Sequence, residues 1–412
     1  MKRTLARESR NMVGERVHLQ GWADKVRDLG GIAFVVLRDR SGSVQCVLEG
    51  TSPPPPGSVV EVKGRVRADE RAPGGAEIVV EEVRVLAAPV EAPPLDAASP
   101  VLRAGLEALL EHRAVSLRNE RIRAVFRVQA ELSQGFRSFL RERGFCEIHT
   151  PKIVATGTEG GSELFPLRYF EREAFLAQSP QFYKQIMVGS GLERVFEVAP
   201  VYRAEKHDTS RHLNEYVSMD LEMGFIEGPE DVMDLEEEML HYIFESVRER
   251  CGEELRLLGS EVPDLSGGIP RLTYDEAVSL IGRDLDPEGE RQLCAAVGSE
   301  LVFVTSFPAE QRPFYTMPAP GGRTRSFDLI FRGLEVTTGG QRIHSYDMLL
   351  ESIEAAGLRR EGMEFYLEAF KAGMPPHGGL AIGLERLTMK LLGLGNVREA
   401  SLFPRDRHRL TP

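Results

Sequence analysis

At 412 residues with 42% hydrophobic side chains, the chain is longer than one typical domain, so we expect two or three domains with real cores. The net charge of −12 argues against a nucleic-acid partner, because neutralising phosphates requires Lys and Arg. The first residues lack the apolar run of a signal peptide and no stretch reaches the roughly 18 apolar residues of a membrane span, which predicts a cytoplasmic protein with no membrane partner.

Five short β-type runs occupy residues 15–86, separated by turn signals such as LGG, DRSGS, PPPPGS and APGG. Five strands in about 75 residues predict a small closed β-barrel of the oligonucleotide-binding (OB) type, with another small all-β module as the alternative. Residues 87–100, AAPVEAPPLDAASP, are rich in Ala and Pro without periodicity and indicate a semi-rigid hinge. We therefore place a barrel domain at 1–88 and a hinge at 89–113.

The remainder, 114–412, is predicted to form one larger domain. Residues 121–143 have apolar side chains at helical spacing, and this helix should stop at Gly144. The next stretch, FCEIHTPKIV, is interpreted as a strand containing Pro151, which should lie at an edge or an interface because proline cannot donate to a ladder.

Two further regions of this domain differ in the strength of their pattern. Residues 229–250 predict an amphipathic helix whose acidic face is solvated. Residues 255–300 have weaker signals and are interpreted as an insertion. The four cysteines are far apart and form no CxxC pair, so we expect buried free thiols and neither a zinc site nor a disulfide.

Four charge-bearing stretches on β-type sequence hold the candidate chemistry. The first, residues 195–225, reads as a strand, a polar loop and a returning strand. A lone arginine in a strand is usually a solvated edge residue, but so many charges in one hairpin indicate a site for a polyanion. These charges are Arg203, Glu205, Arg211, His212, Glu215, Asp220 and Glu222.

The second stretch, residues 325–344, carries Asp328 and Glu335 in a strand with a bend. Two such carboxylates suit Mg²⁺ bound to substrate phosphates, and a structural pair facing Arg332 or Arg342 is the alternative.

The third stretch, GGLAIGLERLTM at 378–389, predicts a strand running into a helix near Glu385, with glycines that let a ligand approach closely. The fourth, AQSPQFYKQ at 177–185, carries Lys184, which the pattern leaves without an assigned role and which a side chain reaching solvent would explain equally well.

No GxxxxGK[ST] loop is present, so arginines and a metal would have to hold the phosphates of a nucleotide. This combination resembles the class II aminoacyl-tRNA synthetases, and within them the aspartyl enzymes of the compact archaeal type. FRSFLRERGFCEIHTPKI is similar to the first class II motif, VYRAEKHDTSRHLNEY to the second and GGLAIGLERL to the third. The resemblance covers almost the whole chain. It implies an α+β fold, with an N-terminal OB-fold barrel before a catalytic domain built on an antiparallel sheet flanked by helices.

The resemblance also implies a reaction: ATP activates L-aspartate to aspartyl-adenylate, and the aspartyl group passes to the 3′-hydroxyl of tRNA(Asp). Arg203 and Arg386 are implied as catalytic. The residues implied for ATP are Arg203, Glu205, Arg211, His212, Leu213, Tyr216, Glu335 and Arg386. Those implied for aspartate are Glu159, Ser162, Gln181, Lys184, Asp220, Thr338 and Arg342, with Lys184 and Arg342 reaching the side-chain carboxylate. Asp328, Glu335 and Thr338 are implied for Mg²⁺.

In the barrel, the positions that match anticodon contacts are Arg27, Phe34, Gln45 and Glu77, although Phe34 alone would be interpreted as a core residue. Enzymes of this type that charge only the aspartate tRNA have a tryptophan at the position of Asp24 and a lysine near Glu82. Neither is present, which favours an enzyme that also charges tRNA(Asn) for later amidation by an amidotransferase, although these two residues are not typical of relaxed relatives either. The family further implies a homodimer with Pro151 at its interface.

Three alternatives remain at the level of sequence. An asparaginyl-tRNA synthetase is the first, and it would be expected to lack the QSPQ-type stretch. A catalytically inactive, RNA-binding scaffold is the second, and its decay should damage the ATP arginines and metal carboxylates first. A tRNA-independent amino-acid ligase is the third, and it would normally lack the barrel.

Overall fold

The computed structural model describes residues 2–158, 163–206 and 209–412. Backbone contacts divide the chain into two compact units, Met1–Arg123 and Ala124–Pro412. The sequence-based boundaries, with a hinge at 89–113, remain a prediction. Within that range the chain already forms helix at Leu106–Glu111.

The first unit contains a closed five-stranded barrel with the strand order β1-β2-β3-β5-β4. Alternate residues of each strand fill an apolar core while the residues between them face outward, as the period of two requires. The predicted closed barrel is confirmed. Its strands are β1 (Arg16–Asp28), β2 (Ile32–Arg38), β3 (Ser43–Glu49), β4 (Val59–Ala68) and β5 (Ala76–Ala87), and the unit's helices are α1 (Ala6–Ser9), α2 (Leu106–Glu111) and α3 (Arg113–Ser116).

The second unit is organised around an eight-stranded sheet of order β12-β13-β16-β17-β18-β11-β10-β6. The pairings from β13 to β10 are antiparallel, while the outermost pairs β12/β13 and β10/β6 are parallel, so the predicted antiparallel sheet is mixed at its edges. Its strands are β6 (Cys146–Glu147), β10 (Arg194–Tyr202), β11 (Glu215–Gly224), β12 (Arg271–Thr273), β13 (Leu301–Thr305), β16 (Ser326–Phe331), β17 (Leu334–Gln341) and β18 (His377–Gly383). Two small sheets accompany it, formed by β7 (Ile153–Val154), β8 (Pro166–Tyr169) and β9 (Arg172–Leu176), and by β14 (Pro318–Ala319) and β15 (Arg323–Thr324).

Helices α4 and α6 bury their apolar faces in one core cluster with the sheet, where Phe136 and Phe244 meet Leu329 and Leu380. The helices predicted at 121–143 and 229–250 are confirmed, and Gly144 has the positive φ expected after a helix end. The helices of this unit are α4 (Glu120–Glu142), α5 (Gln181–Met187), α6 (Pro229–Arg250), α7 (Gly252–Leu258), α8 (Tyr274–Ile281), α9 (Pro287–Val297), α10 (Tyr346–Ala355), α11 (Glu364–Lys371) and α12 (Leu384–Leu392).

The prediction of a single strand in FCEIHTPKIV is wrong. Its two ends form β6 and β7, which belong to different sheets, and Pro151 lies exposed between them, outside any strand. Both short strands are the outermost strands of their sheets, so the expected edge position is confirmed for each of them.

Two of the four charged stretches also differ from expectation. Residues 325–344 do not form one bent strand but contain the β16–β17 hairpin. Its turn lies at Arg332 and Gly333, whose φ angles are 45° and 74°. Residues 181–187 form helix α5, so the fourth stretch is not β-type. Short apolar runs are compatible with either element, and tertiary packing decides between them.

The structure differs from prediction at one cysteine and one acidic residue, and it shows what the region 255–300 forms. Cys146 is exposed, while the other three cysteines are buried. One acidic residue of α6, Glu236, is fully buried and not solvated. The weak-signal region 255–300 contains α8, α9 and the edge strand β12, which extends the main sheet. Within the described residues no helix is long and apolar enough to cross a membrane.

Candidate active site

A cleft over β11, β17 and β18 brings together side chains from all four charged stretches. The predicted residues that line it are Gln181, Lys184, Arg203, Glu205, Arg211, His212, Leu213, Tyr216, Asp220, Glu335, Thr338, Arg342 and Arg386. Asp328 stands beside this set and outside the lining. Glu159 and Ser162 lie outside the described residues.

At one end of the cleft, Lys184 is buried at 1% exposure and surrounded by oxygens. Its Nζ lies 3.1 Å from Asp220 Oδ1 and 3.2 Å from Glu222 Oε2, and it donates to the carbonyls of Leu221 and Leu380 at 3.3 and 3.2 Å. The interpretation of Lys184 as a side chain reaching solvent is therefore wrong. We call Lys184, Asp220, Glu222 and Arg342 the buried charge cluster.

Glu222 connects the two cations of this cluster. Arg342 Nε donates to Glu222 Oε1 at 2.9 Å, and Arg342 Nη2 donates to the carbonyl of Gly379 at 3.0 Å. Burial by itself would raise the pKa of Glu222, but the nearby Arg342 and Lys184 outweigh it and lower that pKa below the usual value. The fully buried carboxylate therefore stays ionised and holds both cations in place.

The strands explain this arrangement. Asp220 and Glu222 are two residues apart on β11, so both point to the same face of the sheet. Gly379 pairs with Glu222 on the neighbouring strand, and a Cβ there would lie 2.3 Å from Glu222 Oε2. Glycine is required at that position because the Leu221 carbonyl oxygen, 2.2 Å from such a Cβ, and the Glu222 carboxylate occupy the space. The sequence placed Glu222 among the hairpin charges without a role, and its two-residue spacing from Asp220 was the available signal.

The other end of the cleft is more open. The Arg203 side chain is 40% exposed, its Nη1 lies 3.8 Å from Glu205 Oε1, and its guanidinium is 5.6 Å from the centroid of the Tyr216 ring. His212 Nε2 lies 3.8 Å from Glu205 Oε2. These contacts of Glu205 are longer than hydrogen bonds, while the other ring nitrogen of His212, Nδ1, lies 2.6 Å from the Thr209 hydroxyl.

Two arginines at this end are held more firmly. Arg211 Nη2 donates to both carboxylate oxygens of Glu290, at 2.9 and 3.0 Å. Glu290 belongs to α9, so the region interpreted as an insertion supplies a partner that sequence reasoning missed. Arg386 donates to the carbonyls of Arg211 and Glu335 at 3.3 and 3.2 Å, which ties α12 to the loop and to β17.

The two predicted metal carboxylates lie on facing strands of the β16–β17 hairpin. Asp328 accepts from Arg312 at 3.0 and 2.7 Å, and Glu335 Oε1 accepts from the Thr338 hydroxyl at 2.9 Å. Burial, together with the charge of Glu335, raises the pKa of Asp328 to about 6 even though Arg312 opposes it. The alternative of a structural pair with Arg332 or Arg342 is wrong, because the partner is Arg312.

These groups can be tested for their fit to Mg²⁺. Two carboxylates and a hydroxyl are the hard oxygen donors that Mg²⁺ prefers. A cation would also relieve the repulsion between the two carboxylates. Among the described residues no group of three or more acidic, His or Cys side chains could hold a metal alone. The set therefore fits an ion shared with substrate phosphates and not an all-protein cage.

In the barrel, the predicted anticodon residues lie outside the apolar core, on neighbouring strands. Arg27 is opposite Phe34 across β1 and β2, and Gln45 is opposite Glu77 across β3 and β5. Phe34 is half-buried and absent from the barrel core, so its interpretation as a core residue is wrong. Glu77 is buried, and it accepts from Gln45 at 2.9 Å and pairs with Arg67.

The two positions linked to tRNA range both lie in ion pairs. Asp24 accepts from Arg38 Nη2 at 3.0 Å, and Glu82 Oε2 lies 2.9 Å from Lys63 Nζ.

A barrel of the OB type in one unit and, in the other, an antiparallel sheet whose cleft holds arginines and paired carboxylates define a class II tRNA synthetase. The chain matches the family of class II tRNA synthetases (D, K and N) over residues 105–407, and the OB-fold nucleic acid binding domain over residues 17–86. It belongs to the class II tRNA synthetases (D, K and N).

Three relatives illustrate this membership. The chain is 53% identical to an aspartate–tRNA(Asp/Asn) ligase of Deinococcus radiodurans, with 100% of this chain and 99% of the relative covered. It is also 53% identical to the aspartate–tRNA(Asp/Asn) ligase of Thermus thermophilus, with 100% of both covered. The crystal structure of asparaginyl-tRNA synthetase from Pyrococcus horikoshii with asparaginyl-adenylate superposes with a TM-score of 0.93 at 32% identity, covering 100% of both chains.

Proposed function

We propose that this chain is an aspartate–tRNA ligase that joins L-aspartate, activated by ATP, to the 3′-hydroxyl of tRNA(Asp) and also of tRNA(Asn). The observation that carries the proposal is the buried charge cluster, which places two cations, Lys184 and Arg342, at the closed end of the cleft. Relatives with 53% identity over the full length are named for this reaction.

In the proposed reaction, the α-carboxylate of aspartate attacks the α-phosphorus of ATP and pyrophosphate leaves. A carboxylate is already a nucleophile at neutral pH, so the protein has to supply position and charge stabilisation and no general base. Arg203 faces the α-phosphate in this proposal. Tyr216 and Arg386 hold the adenine between them, with Glu205, Arg211, His212 and Leu213 around the nucleotide. The 3′-hydroxyl of the tRNA then attacks the carbonyl carbon of the acyl-adenylate, the bond from that carbon to the phosphate oxygen breaks, and AMP leaves as the hydroxyl loses its proton.

Asp328, Glu335 and Thr338 would hold Mg²⁺, which neutralises charge on the phosphates when it is bound. Arg312 would have to release one oxygen of Asp328 for that purpose. Removal of divalent cations with EDTA should abolish aspartate-dependent pyrophosphate exchange, and Mg²⁺ should restore it. Full activity in excess EDTA would contradict this assignment.

Selectivity for aspartate is proposed to come from the two cations of the cluster, which donate hydrogen bonds and accept none. In the proposed complex Asp220 receives the α-ammonium, Lys184 and Arg342 face the side-chain carboxylate, and Gln181 and Thr338 lie beside them. The proposed roles of Glu159 and Ser162 rest on the sequence resemblance alone. Asparagine would present amide hydrogens to these cations, a mismatch that buried sites reject strongly. Because Nζ of Lys184 already has four protein oxygens nearby and only three donors, direct contact requires it to give up a carbonyl.

The proposed tRNA range includes tRNA(Asn), which would leave an aspartyl product for an amidotransferase. It is supported by the absence of a tryptophan at position 24 and of a lysine near position 82. The residues present, Asp24 and Glu82, are both engaged in ion pairs. Arg27, Phe34, Gln45 and Glu77 are proposed to contact the anticodon. A homodimer with Pro151 at its interface, in the cytoplasm, completes the proposal, and sedimentation of the purified protein tests the dimer.

One experiment tests the substrates together: aminoacylation of purified tRNA(Asp) and tRNA(Asn) with aspartate and with asparagine. We expect aspartate on both tRNAs and asparagine on neither. Charging of tRNA(Asp) alone would limit the range to one tRNA. Transfer of asparagine would indicate the asparaginyl enzyme, and no charging at all would indicate the inactive scaffold.

A further inference from the structure

Residues 396–409, which we call the clamp segment, run along the loop that joins β10 to β11. This segment carries none of the residues proposed above for ATP, aspartate or metal. Its backbone nevertheless bonds to the described residues 209–214 of the loop, and its Arg407 side chain reaches the part at 203–206. The N–H of Val397 donates to the carbonyl of Ser210 at 2.8 Å, and Val397 itself is 1% exposed at the wall of the cleft.

The contact at the end of the loop is the most direct. The N–H of Asn214 donates to the carbonyl of Arg405 at 2.8 Å, and Arg405 forms an antiparallel bridge with Glu215 at the start of β11. Arg407 Nη1 also reaches the carbonyl of Lys206, at 3.4 Å. The segment thus continues the sheet for one residue and fixes where the returning strand begins.

Asn214 links this contact to the residues that follow β10, on the opposite side of the loop. Its Nδ2 donates to the carbonyls of Arg203 and Glu205, at 2.7 and 2.9 Å, and its own carbonyl accepts from the N–H of Arg203 at 2.9 Å. The backbone of Arg203 is therefore set by Asn214, although the guanidinium of Arg203 is 40% exposed. An amide side chain suits the position because both partners are acceptors.

An ion pair locks the clamp segment onto itself. Arg398 Nε lies 2.9 Å from Asp406 Oδ2, and the two side chains are 14% and 6% exposed. The other oxygen of Asp406, Oδ1, accepts from the N–H groups of His408 and Arg409 at 2.8 and 2.9 Å. Asp406 therefore fixes the turn that follows Arg405, next to the carbonyl that holds Asn214.

We propose that the clamp segment positions the phosphate-binding loop, with the Arg398–Asp406 pair as its lock and Asn214 as the residue that transmits its position to Arg203 and Glu205. All three are positioning residues and none contacts the reacting atoms. The inference rests on the proposed function of the loop in binding ATP. Small displacements of a group that stabilises charge are costly, so loosening the lock should weaken the nucleotide end of the cleft selectively.

The test compares wild type with Asp406→Asn and Asn214→Ala. Asp406→Asn keeps an oxygen for the two N–H groups and removes only the charge facing Arg398, while Asn214→Ala removes only the side-chain donors. Glu254→Gln is the matched control, because it breaks an ion pair of 2.8 Å, with Arg127, that has no contact with the loop. The measurements are KM for ATP and for aspartate in pyrophosphate exchange, hydrogen exchange of amides 203–206 and 209–214, and the melting temperature.

We expect both variants to raise the KM for ATP roughly tenfold while the KM for aspartate changes by less than about twofold, since lost hydrogen bonds of this kind have that order of effect. Amides of the loop should exchange faster without any substrate, and the control should change neither quantity. Unchanged loop exchange in both variants, or equal rises of the two KM values, would overturn the inference. Because hydrogen exchange needs no activity, it still tests the clamp if wild type fails to activate aspartate, a result that would refute the proposed function alone.

Discussion

The two ends of the cleft solve the problem of holding charge in opposite ways. At the amino-acid end, Lys184, Asp220, Glu222 and Arg342 are nearly inaccessible and bonded to one another. At the more open end, the Arg203 side chain is 40% exposed and its Nη1 lies 3.8 Å from Glu205 Oε1. A buried charge is tolerated only with partners, so the first end is held together by its own ion pairs, while the guanidinium of Arg203 at the second end stays accessible to a ligand.

The largest effect is expected at the open end. Arg203→Ala should reduce aspartate-dependent pyrophosphate exchange by ~10²–10³, the usual cost of removing one contact that stabilises transition-state charge. Because the Arg203 side chain is 40% exposed, the melting temperature of the variant should match that of wild type. Substantial residual exchange would refute the assignment and make the two ends equivalent in catalysis.

At the closed end, Lys184→Met should raise the KM for aspartate far more than the KM for ATP. Losing one charge-assisted bond of about 1.5–3 kcal/mol corresponds to roughly 10–100-fold in kcat/KM for aspartate. Unlike Arg203→Ala, this variant should also melt earlier, since Asp220 and Glu222 lose a buried partner. Unchanged KM and kcat for aspartate would show that Lys184 is only structural.

A milder change separates charge from geometry in the same cluster. Arg342→Lys keeps the positive charge but loses the planar fork that meets Glu222 and the Gly379 carbonyl. We expect about a tenfold rise in the KM for aspartate, from the loss of one such hydrogen bond, with less effect on the KM for ATP. Activity equal to wild type would mean that charge alone is sufficient at this position.

The smallest effect concerns a buried carboxyl without a cation. Glu236 on α6 faces the Thr337 hydroxyl beneath β17, and neither carboxyl oxygen makes a hydrogen bond of ordinary geometry with the described residues. Burial raises its pKa from 4.5 to about 8, whereas two cations lower the pKa of the equally buried Glu222. The nearby cations Arg342 and Lys184 are the largest of the effects that oppose burial at Glu222.

The sign of the pH dependence follows from this raised pKa. Below pH 4.5 both the folded and the unfolded chain hold the proton, and between 4.5 and about 8 only the folded chain does, so stability falls as pH rises. The loss is at most about 1.4 kcal/mol per pH unit, and we expect on the order of 1–2 kcal/mol between about pH 6 and pH 8. The free energy of unfolding of Glu236→Gln, measured in urea at several pH values, should lack this decline. If it fell with pH as steeply as that of wild type, the assignment would be contradicted.

Local pattern was sufficient for much of the fold. The five barrel strands, the helices at Glu120–Glu142 and Pro229–Arg250, and the hairpin that carries Arg203 all follow from periodicity and turn residues. The motif order also indicated the family, and most of the predicted residues line one cleft.

Partners distant in sequence were decided only by tertiary structure. Glu222 lies between Lys184 and Arg342, Glu290 reaches Arg211 from a region with weak signals, and Arg312 takes Asp328. Helix α5 and the separation of β6 from β7 likewise depend on neighbours far along the chain. The sequence by itself determined which charges the protein has and on which elements most of them lie. Which charges become buried, and beside which partners, depended on contacts between strands and helices remote in sequence, because solvation and pairing energies arise only when those elements pack.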